Sequence, residues 1–275
     1  VQSLYQYLHG QSLEICVDDV SASFLSTEPI NASNFDEIAS NSELVIVVGG
    51  DGTILHAAHN LIQKEIPLLG INLGRLGFLA DISPNEIEKQ LSQILVGEYI
   101  EEQRVVLQAS LIREGNSVGT CCAINDVVVH AKQVVRMIEL ETRVNDIHVN
   151  TLRADGIIVA TPTGSTAYAL SGGGPILHPD IDTMVLVPIC PHTLSNRPIV
   201  VDANSKVEII FPAENRHTAL ASVDGQIDMD FMPKDKIVIE KGKHALRLIQ
   251  PKDYDYFDVL REKLRWSTPP NSNHN

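Results

Sequence analysis

The chain has 275 residues, 44% hydrophobic and 20% charged, with a formal net charge of -14. That is enough apolar material for one large domain or two modest ones, while the acidic balance argues against nucleic acid and anionic membrane surfaces as partners. Four cysteines (Cys16, Cys121, Cys122, Cys190) show no CxxC or zinc spacing and read as reduced thiols of a cytoplasmic protein, and neither a membrane-length apolar run nor a secretory leader pattern is found.

Leu4, Tyr5 and Leu8 lie at helical spacing directly after Val1, so the chain is expected to open inside a helix and to lack an upstream strand. Residues 13–17 predict a strand and 35–42 a short helix. The apolar run 44–48 predicts a buried strand, which ends in Gly49-Gly50-Asp51-Gly52-Thr53. A helix over about 53–63 follows, carrying Ile54, Leu55, Ala57, Ala58, Leu61 and Ile62. Residues 67–72 predict a second buried strand, and Leu73-Gly74-Arg75-Leu76-Gly77-Phe78-Leu79 a glycine-bearing loop. Ser83-Pro84-Asn85-Glu86 has the pattern of a capped helix start, with Ile87, Leu91, Ile94 and Leu95 behind it at helical spacing. Strand and helix in alternation mean a parallel sheet covered by helices.

After Tyr99 the pattern changes. Short β-type runs over 105–112, 124–129, 138–144, 157–160, 184–189, 206–211 and 236–240 are separated by turn residues, with helical character only around 165–171. The expected fold is therefore an α/β N-terminal domain with a Rossmann-like parallel sheet, plus a β-rich, sandwich-like C-terminal domain. Domain limits are placed at 1–101, 102–250 and 251–275. In the last segment Tyr254, Tyr256, Phe257, Val259, Leu260 and Leu264 need burial and are expected to pack back on the α/β domain, and 268–275 to fray.

Three constellations carry chemistry. A strand that ends in glycines and opens a helix exposes N–H groups at the positive helix end, where phosphate can sit. Neither GxxxxGK[ST] nor GxGxxG is present. A carboxylate inside such a turn would repel phosphate, so Asp51 takes a proton, holds a metal, or only caps the following helix. Asn125-Asp126, ahead of a β-branched run, offers groups suited to hydroxyls and a base edge, or forms a plain turn. The stretch from Asp155 through Thr161-Pro162-Thr163-Gly164-Ser165-Thr166-Ala167-Tyr168 to Gly172-Gly173-Gly174 lets backbone approach a ligand closely, with Tyr168 able to stack on a base. Its alternative is a tight crossover between sheets.

Together these segments resemble the NAD kinase family. The GGDGT turn is shared with diacylglycerol and sphingosine kinases, and phosphofructokinases have a similar one. Asn125-Asp126 and DGIIVATPTGSTAYALSGGGP separate this chain from those relatives. Gly70-Ile71-Asn72, Leu76-Gly77-Phe78-Leu79, Pro191-His192-Thr193-Leu194 with Arg197-Pro198, and Asp224-Gly225-Gln226 extend the likeness over most of the chain, closest in texture to enzymes of Gram-negative bacteria.

The resemblance implies transfer of the ATP γ-phosphoryl group to the 2′-hydroxyl of the adenosine ribose of NAD, giving NADP. Asp51 would be the proton acceptor, with Gly50, Gly52 and Thr53 along the phosphate path and His56 near it. Asn125 and Asp126 would bind adenine and ribose groups, Arg136 and Arg153 would supply positive charge, and Asp155 would contact the nicotinamide half. Thr163, Thr166, Ala167, Tyr168, Ala169, Leu170 and Ser171 would form the nucleotide wall, and Gln226 would close the site. Mg²⁺ or Mn²⁺ would bridge the triphosphate, and a homodimer or tetramer is implied. Two departures stand out: the family usually has Glu where Asp126 stands, and its first strand and glycine-rich loop are not seen. The rival readings are a lipid or sugar kinase of the same superfamily and a dinucleotide-sensing module without turnover.

Overall fold

The computed structural model describes residues 1–26, 30–74, 77–79, 82–132, 137–193, 195–215 and 218–266. The chain divides into two compact units, residues 1–103 with 246–275, and residues 104–245.

The first unit is built on a four-stranded sheet in the order Val45–Val48, Leu68–Ile71, Leu246–Pro251, Tyr99–Arg104. The first two strands run parallel, from Val45 opposite Leu68 to Val48 opposite Ile71, and Leu248 pairs with Leu68 in parallel as well. Leu68–Ile71 is buried at every position, as a parallel strand covered on both faces requires. Helices Gln2–His9, Phe35–Asn41, Asp51–Leu61, Ile87–Leu95 and Tyr256–Leu264 surround it. Leu4, Leu8, Leu69, Ile71, Ile82, Leu91, Ile94 and Ile249 form one buried cluster.

Several boundaries differ from those expected from sequence. The predicted strand over 13–17 shrinks to Val17–Asp18, paired in parallel with Ala32–Ser33. The helix after the glycine turn starts at Asp51. The next one starts at Ile87, because Ser83 does not cap it. The Ser83 hydroxyl instead bonds the Glu86 carboxylate (2.9 Å), and the Glu86 N–H bonds the Ser83 carbonyl (3.0 Å), closing a turn ahead of the helix. Leu246–Pro251, expected largely within the β-rich region, is a strand of the first unit's sheet. Of the C-terminal apolar residues, Tyr256, Val259 and Leu260 are buried, whereas Phe257 stays exposed. The predicted frayed tail over 268–275 lies outside the described residues.

The second unit holds two six-stranded sheets. One runs Ile147–Ala154, Ile138–Val144, Val207–Ile210, Lys236–Lys241, Leu107–Arg113, Asn116–Ala123. The other runs Ile199–Asp202, Thr183–Ile189, Gly156–Ala160, Asp126–Ala131, Ala219–Val223, Ile227–Phe231. All pairings are antiparallel. Alternate side chains of both sheets, including Val127, Val129, Ile157, Val159, Leu140 and Ile209, meet in one core. The intervening Val128, Ile158 and Ala160 face the other way and pack with Ala169, Leu177, Val185 and Val187. Two buried faces explain why these central strands read as unbroken apolar runs. The segment that covers the outer face is a 3₁₀ turn, Gly164–Thr166, followed by the short helix Tyr168–Ser171. Among the described residues, no helix is long and apolar enough to cross a membrane.

Candidate active site

In the first unit the strand Val45–Val48 delivers the chain into the glycine turn. Gly50 is the N-cap of helix Asp51–Leu61, with extended backbone and no side chain to cap it. The Thr53 and Ile54 N–H groups donate to the Gly50 carbonyl at 2.9 and 3.1 Å. The Asp51 and Gly52 N–H groups have no acceptor among the described residues. The first N–H groups of a helix lack intrahelical partners and sit at its positive end. A Cβ built on Gly50 or Gly52 would meet nothing within 4 Å, so a ligand has room to reach these donors. His56 is exposed one turn further along the same helix.

Asp51 is the first helical residue and is half-buried. Its carboxylate does not cap the helix, which removes that alternative. Instead Oδ2 accepts the Phe78 N–H and Oδ1 the Leu79 N–H, both at 3.1 Å. The carboxylate is therefore held from a loop 27 and 28 residues away.

In the second unit the Asn125-Asp126 turn is held from both sides. Asp224 accepts the N–H groups of Ile124 (2.8 Å), Asn125 (2.8 Å) and Asp126 (2.9 Å). Asp224 itself begins the Asp224-Gly225 turn, both residues at positive φ, that joins Ala219–Val223 to Ile227–Phe231. On the carbonyl side, the Thr161 hydroxyl donates to the Ile124 carbonyl (2.6 Å) and the Thr161 N–H to the Asn125 carbonyl (2.9 Å). The same hydroxyl accepts the Gly164 N–H at 3.0 Å. Gly164 must be glycine here, since a Cβ would lie 2.0 Å from the Asn125 carbonyl oxygen.

With its backbone bonded on both sides, Asn125 leaves its side chain free of protein partners among the described residues. Asp126 is 5% exposed, and its carboxylate likewise has no hydrogen-bond donor there. Burial, reinforced by the Asp224 charge, pushes the Asp126 carboxyl up to about 7. A buried carboxylate without donors is costly, and a ligand that brings hydroxyls would relieve it.

The remaining predicted residues fall into two groups. Thr163 is buried, Thr166 and Ala167 are half-buried, and Tyr168 and Ser171 are exposed, so this stretch presents a surface with Tyr168 available for stacking. Ala169 is fully buried among Val128, Ile158 and Val187, where its methyl packs in the core; Leu170 is half-buried. Arg153 and Gln226 are exposed, and Asp155 is half-buried between strands Ile147–Ala154 and Gly156–Ala160. Arg136 lies outside the described residues. No group of three or more His, Cys, Asp or Glu able to hold a metal occurs among the described residues.

Two elements lie in stretches that carry the family likeness, yet the sequence assigns them no role in the site. The Phe78 and Leu79 amides act through their backbone, so their residue type carries no signal. Asp224 had one, an Asp-Gly pair between two short β-type runs.

A family model described as the ATP-NAD kinase N-terminal domain matches residues 14–99, and one described as the ATP-NAD kinase C-terminal domain matches residues 124–251. The chain is 45% identical over 268 residues to the NAD kinase of Hahella chejuensis, spanning 98% of this chain and 90% of that protein. It is 46% identical over 266 residues to the NAD kinase of Nitrosococcus oceani, spanning 97% and 91%. Among solved structures, yeast NADH kinase complexed with NADH matches with a TM-score of 0.89 at 25% identity, over 99% of this chain and 84% of that one. An NAD kinase from Archaeoglobus fulgidus in complex with ATP matches with a TM-score of 0.70 at 31% identity, over 90% and 91%.

Proposed function

The chain belongs to the ATP-NAD kinase family, and on that premise we propose which of its residues carry the reaction. That reaction is ATP-dependent phosphorylation of NAD: the γ-phosphoryl group leaves ADP and joins the 2′-hydroxyl of the adenosine ribose, giving NADP. A ribose hydroxyl is a weak nucleophile at neutral pH, so a carboxylate that takes its proton lowers the barrier. Asp51 is that base. The observation that carries this assignment is its setting, a carboxylate at a helix start between two unobstructed glycines, with one N–H bonded to each oxygen. A carboxylate has about four lone-pair sites, so each oxygen keeps one for the hydroxyl.

The Asp51 and Gly52 N–H groups stabilise charge on the transferred phosphoryl group, with Gly50, Thr53 and His56 beside the phosphates. Asn125 and Asp126 take the hydroxyl and base edges of the adenosine half. Thr163, Thr166, Ala167, Tyr168 and Ser171, with Leu170, line its other side, Ala169 supporting that wall from the core. Arg153 and Arg136 supply charge, Asp155 contacts the nicotinamide half, and Gln226 closes the site. Mg²⁺ or Mn²⁺ bound with ATP would supply charge neutralisation on the phosphates. The four free cysteines suit a cytoplasmic setting. A homodimer or tetramer is proposed through the second unit, whose edge strand Ile147–Ala154 exposes Ile147 and Val149.

The test is Asp51→Asn, assayed with ATP, Mg²⁺ and NAD, reading NADP with an NADP-specific dehydrogenase. The substitution is expected to lower kcat by about 100-fold or more while NAD binding by titration is retained. Comparable turnover in variant and parent would overturn the assignment.

A further inference from the structure

A base is effective only when its lone pair points at the proton it removes. An aspartate in the first turn of a helix has two side-chain torsions, and nothing in the helix itself fixes them. Here two consecutive amides do so. Phe78 donates to Oδ2 and Leu79 to Oδ1, one bond per oxygen, which sets the plane of the carboxylate. The donors are themselves anchored: Leu79 is buried, and the Lys263 ammonium lies 5.6 Å from the centre of the Phe78 ring.

This arrangement closes only because residue 77 has no side chain. A Cβ on Gly77 would lie 2.1 Å from Oδ1 of Asp51, 2.9 Å from Cγ and 3.2 Å from Oδ2. The backbone of Gly77 is not in the left-handed region, so an alanine is conformationally admissible there. The carboxylate is what excludes it. Gly74, in the same loop, differs in this respect: a Cβ there would meet nothing within 4 Å.

We propose that Gly77, together with the Phe78 and Leu79 amides, is the positioning element of the Asp51 carboxylate, so that residue 77 governs turnover without touching either substrate. The inference rests on Asp51 being the base. For Gly77→Ala, restoring ordinary contact from 2.1 Å moves the carboxylate by roughly 1 Å, a displacement that costs on the order of 100-fold in rate.

The experiment compares parent, Gly77→Ala, Gly74→Ala, Asp51→Ala and the double variant Asp51→Ala/Gly77→Ala, measuring kcat, KM, NAD affinity by titration, and Tm. Gly77→Ala is expected to lose kcat by about 100-fold with NAD affinity little changed, and Gly74→Ala to behave as the parent. The Tm cycle reads the contact independently of activity: Gly77→Ala lowers Tm in the parent but not in the Asp51→Ala background, where the methyl enters the space the carboxylate has left. Gly77→Ala turnover close to the parent's would overturn the proposal. So would an equal Tm loss in both backgrounds. Should Gly77→Ala fail to fold, recovery of folding in the double variant supports the inference, and failure of both refutes it. Full activity in Asp51→Asn would strike the base assignment alone, while the Tm cycle still decides whether the Gly77 contact exists.

Discussion

Replacing Asp126 by Asn should make the protein more stable, and increasingly so as pH rises. The Asp126 carboxyl titrates near 7 in the folded chain, against an ordinary value of 3.8, because burial disfavours its charged form and Asp224 adds a like charge. The sign follows from proton counting. Below about pH 4 the group is protonated in both states and contributes nothing. Between about pH 4 and pH 7 the unfolded chain loses the proton and the folded chain keeps it, so stability falls as pH rises, and above about pH 7 the penalty is constant. Three pH units at about 1.4 kcal/mol each set a ceiling of about 4 kcal/mol. Water reaching the carboxylate would bring it nearer 2 kcal/mol. The amide of the Asp126→Asn variant does not titrate, so its advantage should be small at pH 4 and reach about 2–4 kcal/mol at pH 8. In Tm that is roughly 4–16 °C, at about 2–4 °C per kcal/mol for a chain of this size. Thermal unfolding of both proteins at several pH values, without nucleotide, measures it. A Tm difference that is flat from pH 4 to pH 8, or that shrinks with pH, would refute the reasoning. The same variant is expected to bind NAD more weakly, as the role proposed for Asp126 at the adenosine half requires.

Asp224→Ala leaves three N–H groups of residues 124–126 without their acceptor. With about 1 kcal/mol or more for each orphaned donor, it should cost about 3 kcal/mol and raise KM for NAD together with lowering Tm; an unchanged Tm would show that water replaces the carboxylate. Chelation with EDTA should abolish NADP formation, with Mg²⁺ or Mn²⁺ restoring it, while NAD binding by titration persists; full turnover in EDTA would exclude an exchangeable metal.

The fold class was legible because its signals are local. Val45–Val48 and Leu68–Ile71 are apolar runs interleaved with helical spacing, and Gly156–Ala160 and Thr183–Ile189 are apolar because both their faces are covered. The strands that escaped notice are chiefly at sheet edges. Asn116–Ala123, Ile147–Ala154, Ile199–Asp202 and Ile227–Phe231 close the four ends of the two sheets in the second unit, where polar residues (Asn116, Ser117, His148, Asp228, Asp230) and apolar ones (Val118, Ile147, Val149, Ile199, Val200, Ile227) share the exposed positions and blur the alternation. Leu246–Pro251 was missed for a different reason. Its composition fits either unit, and only the parallel pairing of Leu248 with Leu68, 180 residues apart in sequence, assigns it.

The same division runs through the site. Asp51, Asn125, Asp126 and Tyr168 could be singled out because each offers a functional group at a turn or strand end. What orients them could not, because it is supplied by backbone. Any residues at 78 and 79 other than proline present the N–H groups that hold Asp51. Any residues at 124 to 126 other than proline present those that Asp224 gathers. Such contacts leave a trace only where a neighbouring side chain must be absent or must be a carboxylate. Gly77 and Gly164 are traces of the first kind, each marking an oxygen that comes within about 2 Å of a would-be Cβ, and Asp224 is one of the second. A glycine whose backbone does not need glycine is therefore informative in this chain: at Gly77 and Gly164 the absence of a side chain serves not the residue itself but the group packed against it.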